Sequence, residues 1–301
     1  MPDALLLLPD FLLIALGYVL CRHTPMNRSV WDGAERLVYY VLFPTLLFQA
    51  VLRNPLQVHT ALPLVGCGLA LCAAGIGLSM SLRALPGVDG RLHASGAQTA
   101  FRFNSYVALA VAERLAGVQG LAWMAVLISV SVPVCNVAAV WPLARSSGQG
   151  VGRELVRNPL IVSTVAGLAA NLAGVVLPEV VTITLTRMGS AGLPLGLMAV
   201  GAGLHMGALR EAPRLAAGFL TIRHAVLPLV SMVLVQAWNL PPTQQLIVVA
   251  FAAMPTASSA YVLAARLGGN GSYVAGLVTV STLVAMPAVP VTLALWSAVQ
   301  P

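Results

Sequence analysis

Apolar residues run along this chain in long unbroken stretches separated by short polar connections. A helix needs ~20 apolar residues to cross ~30 Å of hydrocarbon. Ten stretches approach that length: 4–21, 36–52, 61–82, 99–115, 119–142, 158–176, 182–206, 218–238, 243–265 and 272–297, called here spans 1 to 10. They are continuous rather than alternating, which predicts transmembrane helices and not the strands of a barrel. The longest connections, 22–35, 83–98 and 143–157, are too short for a separate soluble domain. The predicted fold class is an all-α integral membrane protein of ten transmembrane helices.

The polar remainder orients these spans. Connections after odd-numbered spans, with their flanks, hold Arg22, Arg28, Arg36, Arg83, Arg91, Arg145, Arg153, Arg157, Arg210, Arg214 and Arg266. Those after even-numbered spans hold only Arg53, Arg114 and Arg187. Eleven against three places the odd connections in the cytoplasm and both termini outside it, in a multi-pass inner-membrane protein. Arg102 and Arg223 are left inside spans. No positive residue precedes the first apolar run, so a cleavable signal is not expected.

The two halves resemble each other. Leu42-Phe-Pro44-Thr-Leu-Leu47 in span 2 sits 150 residues before Gly192-Leu-Pro194-Leu-Gly-Leu197 in span 7. Spans 4 and 9 both carry Ala-Phe near their start and end in Arg114-Leu-Ala-Gly117 and Arg266-Leu-Gly-Gly269. Spans 5 and 10 both carry prolines and end near a tryptophan, Trp141 and Trp296. Five spans per half is an odd number, so the second half enters the membrane from the opposite side. This predicts a 5+5 inverted repeat, common in secondary transporters. The halves are 1–142 and 158–301, joined by a cytoplasmic linker at 143–157.

Spans 4 and 9 are interrupted at corresponding places. Arg102-Phe-Asn104-Ser105-Tyr106 breaks the first; Pro255-Thr256-Ala-Ser258-Ser259 breaks the second. Proline removes a backbone donor and clashes with the preceding turn, while hydroxyls can satisfy freed carbonyls. Half-helix N-termini at such breaks carry partial positive charge and suit an anionic group such as a carboxylate. The candidate substrate-binding residues are Arg102, Asn104, Ser105, Asn136, Pro255, Thr256, Ser258, Ser259 and Gln49. Each has a structural alternative. Asn104 can make an ordinary interhelical hydrogen bond, Arg102 can snorkel to the interface, and the Pro255 region can be a kink with back-bonded hydroxyls. Pro44 and Pro194 read as scaffold kinks, and Gly192-xxx-Gly196 and Gly203-xxx-Gly207 as close helix packing.

Composition agrees and excludes other classes. Hydrophobic residues make up 58 % and charged residues 8 %, against ~25 % charged in a soluble domain. All 16 basic residues are arginines, scattered at span ends rather than gathered as a nucleic-acid face. Cys21, Cys67, Cys72 and Cys135 form no CxxC pair, so neither a zinc site nor a disulfide framework is expected. No catalytic Ser-His-Asp order, HExxH motif or phosphate loop is present, and neither an enzyme nor a cofactor is predicted. None of the 9 acids lies at either break. A cation/proton antiporter uses a mid-membrane carboxylate; its lack favours an anion carrier.

The runs Tyr40-Val-Leu-Phe-Pro44-Thr-Leu-Leu-Phe48, Phe101-Arg-Phe-Asn104, Asn158-Pro-Leu-Ile161 and Ala253-Met-Pro255-Thr256 resemble the auxin efflux carrier family, from span 2 to span 10. That family includes the plant PIN carriers and bacterial organic-anion permeases; this chain lacks the plants' long cytoplasmic insert. The resemblance implies a fold like that of sodium/proton antiporters and bile-acid transporters, with broken helices 4 and 9 crossing. It implies a scaffold of helices 1, 2, 6 and 7 and a transport unit of helices 3–5 and 8–10. The crossing asparagine falls on Asn104 and the second-break proline on Pro255, while Phe103 stands where the plant carriers have proline. A homodimer through the scaffold is also implied. The expected function is secondary transport of a small organic anion, auxin-like or a dicarboxylate, by an elevator movement. The alternatives are a sodium-coupled symporter of bile-acid-transporter type and a non-transporting membrane receptor.

Overall fold

A computed structural model describes residues 3–53, 58–144, 159–204 and 211–299. Most of the expected linker, with Arg145, Arg153 and Arg157, lies outside the described residues, as do Asn158, His205, Gly207 and Arg210. Every regular element among the described residues is a helix, and the one β-bridge is isolated. Among the described residues six helices are long and apolar enough to cross a membrane, and three shorter apolar ones accompany them. The chain is a multi-pass membrane protein.

Helix α1 covers Asp3–His23 and α2 covers Arg28–Arg53. Helix α2 starts two turns before the apolar run that predicted it. Asn27 caps it, its side chain accepting from Ser29 N–H, and Arg28 pairs with Asp32 one turn on. Trp31 then buries its ring against Ala199 and Ala202. A polar stretch therefore becomes helix because one side is charge-paired and the other packed.

Helix α3 is Val58–Ser81, α4 is Gly90–Gly96 and α5 is Gln98–Phe101. The chain then breaks. Helices α6 (105–115) and α7 (118–144) follow, separated by the non-helical residues Ala116 and Gly117. Gly117 has φ +54°, a left-handed conformation that costs glycine little. In the second half come α8 (Pro159–Leu172), α9 (Glu179–Ala202) and α10 (Pro213–Ala237). Helix α11 is Pro242–Ala253, α12 is Ala260–Arg266 and α13 is Gly271–Val299. Gly268, at the end of the second broken pair, also has positive φ, +74°.

Two helices widen into a π-turn, α2 at Val38–Leu42 and α10 at Ile222–Val226. In each case a proline follows two residues later, Pro44 and Pro228. Proline cannot donate and crowds the preceding turn; a π-turn relaxes that turn by adding one residue. Phe43 N–H thus reaches Val38 carbonyl, and Leu227 N–H reaches Ile222 carbonyl.

Helices α1, α2, α8 and α9 pack together, α1 on α9 and Phe43–Arg53 on both α8 and α9. The α1–α9 contact is close because it is made by glycine. A Cβ at Gly201 would collide with Ile14 carbonyl oxygen, and one at Gly17 with that of Met198. Gly192 and Gly196 leave room for the Phe43 ring. A second group forms around α11, which packs on the α6–α7 segment, α10 and α13. The two groups meet where α2 and α1 touch the α6–α7 segment and α13.

Candidate functional site at the helix crossing

Both interrupted spans are broken in the structure, and their breaks cross. Helix α5 ends at Phe101 and α6 begins at Ser105; α11 ends at Ala253 and α12 begins at Ala260. Between them Phe103 and Thr256 pair as an antiparallel bridge. Asn104 N–H donates to Pro255 carbonyl at 2.8 Å, and Ala257 N–H to Arg102 carbonyl at 3.3 Å. The first break needs no proline. Arg102 is extended (φ −76°, ψ 137°), and Phe103 stacks edge-on against Phe251 with centroids 4.4 Å apart. Cross-strand pairing and an aromatic contact replace the helical bonds given up at Phe103.

Asn104 is buried at 2 % exposure. Its Oδ1 accepts from Tyr106 N–H at 3.0 Å and Val107 N–H at 3.2 Å, so it is the N-cap of α6. Two of the first amides of α6 are therefore held by the chain itself, and not left open for an anion as the sequence suggested. The cap fixes the carboxamide's orientation. Its Nδ2 then points elsewhere and has no hydrogen-bond partner. A buried donor left unpaired is costly unless something else accepts from it.

A cavity of about 490 Å³ lies beside this group. The crossing contributes Phe103, Asn104, Ser105, Tyr106, Ser258 and Ser259; Tyr261 comes from α12. The opposite wall is α2: Arg28, Asp32, Glu35, Arg36, Tyr39 and Tyr40. Arg28 Nε meets Asp32 at 2.9 Å, and its Nη2 meets Glu35 at 3.1 Å. Its Nη1 is buried without a hydrogen-bond partner. The cavity wall thus combines two arginines, two carboxylates, hydroxyls and aromatic faces.

The remaining sequence-predicted residues divide. Arg102 ties the two breaks together, donating to Gln98 Oε1 at 2.7 Å and Ser259 Oγ at 3.2 Å. Asn136 borders a smaller cavity of about 110 Å³ that Arg102, Ser105, Cys135 and Ser259 share. Pro255 serves through its carbonyl, which receives Asn104 N–H. Thr256 is fully buried, its hydroxyl donating to Thr99 carbonyl and its N–H to Ser281 Oγ at 2.9 Å. Gln49 does not line the cavity. It joins α2 to α9, donating to Thr182 carbonyl at 3.0 Å and accepting from Thr186 hydroxyl at 3.1 Å.

Sequence reasoning missed two sets of residues. The first is the charged start of α2. Arg28, Asp32 and Glu35 fall at i, i+4 and i+7, one helical face, a spacing legible before the apolar run. The second is Arg223. It lies within an apolar span, which by itself marks a functional candidate. Its guanidinium is 2 % exposed and donates to the carbonyls of Phe251, Ala252 and Met254 at 3.1, 3.0 and 2.6 Å. Among the described residues no group of three His, Cys, Asp or Glu side chains is placed to hold a metal ion.

Comparison with known proteins bears on this arrangement. Over 94 % of its length the chain is 24 % identical to a Rhizobium meliloti (strain 1021) protein named "Putative malonate transporter", covering 92 % of that relative. Residues 89–293, which include both breaks, match the model of a family described as membrane transport protein. With both halves of the crossing on the matched segment, the chain belongs to this membrane transport protein family, that of the PIN-like auxin efflux carriers.

Proposed function

We propose that the protein is a secondary transporter of small organic anions carrying two acceptor groups, dicarboxylates above all. The carrying observation is Asn104, whose Oδ1 is committed to capping α6 and whose buried Nδ2 is left to donate into the crossing. The same cavity is lined by Arg28 and Arg36, the first of them paired with Asp32 and Glu35. One carboxylate would satisfy the buried donor of Asn104 that the chain leaves open, and the second would lie toward the arginines of the α2 wall. Charge-assisted bonds of this kind are about twice as strong as neutral ones. The relative's name points to the same substrate class.

Loading and release would follow an elevator movement within a ten-helix 5+5 inverted repeat. The separate packing of α1, α2, α8 and α9 supports a scaffold, with α3 to α7 and α10 to α13 as the moving unit. The cavity then lies where the moving crossing faces the fixed wall of α2. The same reading sets the protein in a bacterial inner membrane with both termini outside the cytoplasm, as a homodimer joined through the scaffold.

The test is electrical. Purified protein on a solid-supported membrane meets a panel of mono- and dicarboxylates, with radiolabel uptake into liposomes covering electroneutral exchange. Dicarboxylates are expected to give the largest signal and to compete with one another, and Asn104→Ala to lose it. Absence of carboxylate transport in both assays, or transport of neutral solutes instead, would overturn the reading.

A further inference from the structure

Where a discontinuous helix ends inside a membrane protein, its last carbonyls are unsatisfied and carry the negative end of the helix dipole. In transporters with broken helices such ends coordinate a coupling Na⁺. Helix α11 ends in this way at Ala253, three residues before the bridge at the crossing. Its terminal carbonyls at Phe251, Ala252 and Met254 converge on one point, and a guanidinium already occupies it. That guanidinium comes from Arg223 on the π-turn of α10, which follows from Pro228.

We propose that Arg223 is a built-in cation filling a carbonyl cage that would otherwise take an alkali metal ion, and that it makes transport independent of Na⁺. Three observations converge. The donors of Arg223 go to backbone oxygens, the ligand type that suits Na⁺. No carboxylate is among these partners, so the charge serves the helix end and not an ion pair. The adjoining residue of the same π-turn, His224, reaches the same break from its other side. Its Nε2 lies 2.8 Å from Ser281 Oγ, which accepts from Thr256 N–H. One π-turn thereby reaches both the carbonyl end and the unwound segment of the second broken helix. Covalent attachment makes occupancy permanent. A diffusible Na⁺ could report the sodium gradient by leaving this cage; Arg223 cannot leave.

The cage can be tested apart from the transport reading on which the coupling statement rests. Thermal unfolding of the purified protein is compared in NaCl and choline chloride for the native chain and for Arg223→Ala. The native midpoint is expected to be the same in both salts. The variant's midpoint is expected to fall and to be raised again by Na⁺, and by millimolar guanidinium, relative to choline. Should Arg223→Ala not survive purification, Arg223→Lys carries the test: it keeps the charge and is expected to stay folded and indifferent to Na⁺. Uptake of the best substrate in liposomes is then measured in both salts. The native rate should be equal in each. That of Arg223→Ala should drop about tenfold or more, the scale set by buried carbonyls left unsatisfied, and should recover in Na⁺. A native midpoint or uptake that rises with Na⁺, or a variant that no cation restores, overturns the proposal. Loss of all uptake with the salt response of the midpoints intact would fault the transport reading and leave the cage standing.

Discussion

Asn104 does two jobs that a pair of substitutions can separate. Asn104→Ala removes the Oδ1 cap on Tyr106 and Val107 and the unpartnered Nδ2 together. Loss of an N-cap costs about 1 kcal/mol, and each kcal/mol lowers the melting midpoint of a large domain by about 2–4 °C. Asn104→Asp keeps the acceptor. Its oxygens can accept the same two N–H bonds, so the cap is kept and the midpoint should stay above that of Asn104→Ala. What it loses is the donor. A hydrogen bond to a charged group contributes about 1.5–3 kcal/mol, or roughly tenfold to one-hundred-fold in affinity. Repulsion between the new carboxylate and an anionic substrate adds to that. Asn104→Asp should therefore be the more stable of the two variants, and both should be inactive. The measurements are thermal unfolding in detergent and dicarboxylate-evoked current. An Asn104→Asp protein that transports at the native rate would refute the donor role. Equal losses of stability in the two variants would refute the cap.

Other consequences are independent of this one. Gly201→Ala forces a methyl group into Ile14 carbonyl oxygen where α1 crosses α9. Overpacking costs typically ~1–3 kcal/mol, so folded yield and melting midpoint should both drop; an unchanged midpoint would refute the close approach. Thr256→Val strips the hydroxyl from Thr99 carbonyl at nearly constant shape. An unsatisfied buried acceptor costs about 1–3 kcal/mol, and the midpoint should fall by several degrees, whereas Ser259→Ala, which loses one exposed bond from Arg102, should change it little. His93 on α4, outside the spans, is held below the ordinary imidazole pKa by burial, against the opposing pull of its Nε2 bond to Ser79 carbonyl and with help from Arg83. The unfolded chain protonates first, so this contribution is complete above the unfolded pKa of ~6.5 and drains away as pH falls below it. The melting midpoint should drop from pH 7.5 to 5.5, and His93→Gln should flatten that slope; an identical slope in the variant would refute it.

Sequence alone determined that this chain is a membrane protein of apolar helices and where two of them break. Those properties are local. A run of apolar residues must become helix in hydrocarbon because its backbone has no other partner, and Pro255 and the polar cluster at Asn104 interrupt that run wherever the helix sits. The family resemblance was legible for the same reason, since its motifs flank the breaks. The tertiary structure decided what the breaks touch. Whether Gln49 faced the cavity or α9 turned on which way α2 rotates, and its amide went to Thr182 and Thr186. Glu35 and Asp32 looked like connection residues because hydropathy stops at Arg36; capping at Asn27 and packing of Trp31 turned them into a helical wall opposite Asn104. Arg223 read as a stray charge in an apolar span. Its meaning required a π-turn to aim it and the end of α11 to receive it, two elements that become neighbours only when the chain is folded. Hydrophobic periodicity fixes which residues leave water; which polar atoms then meet is set by how helices cross, and no one-dimensional pattern carries that geometry.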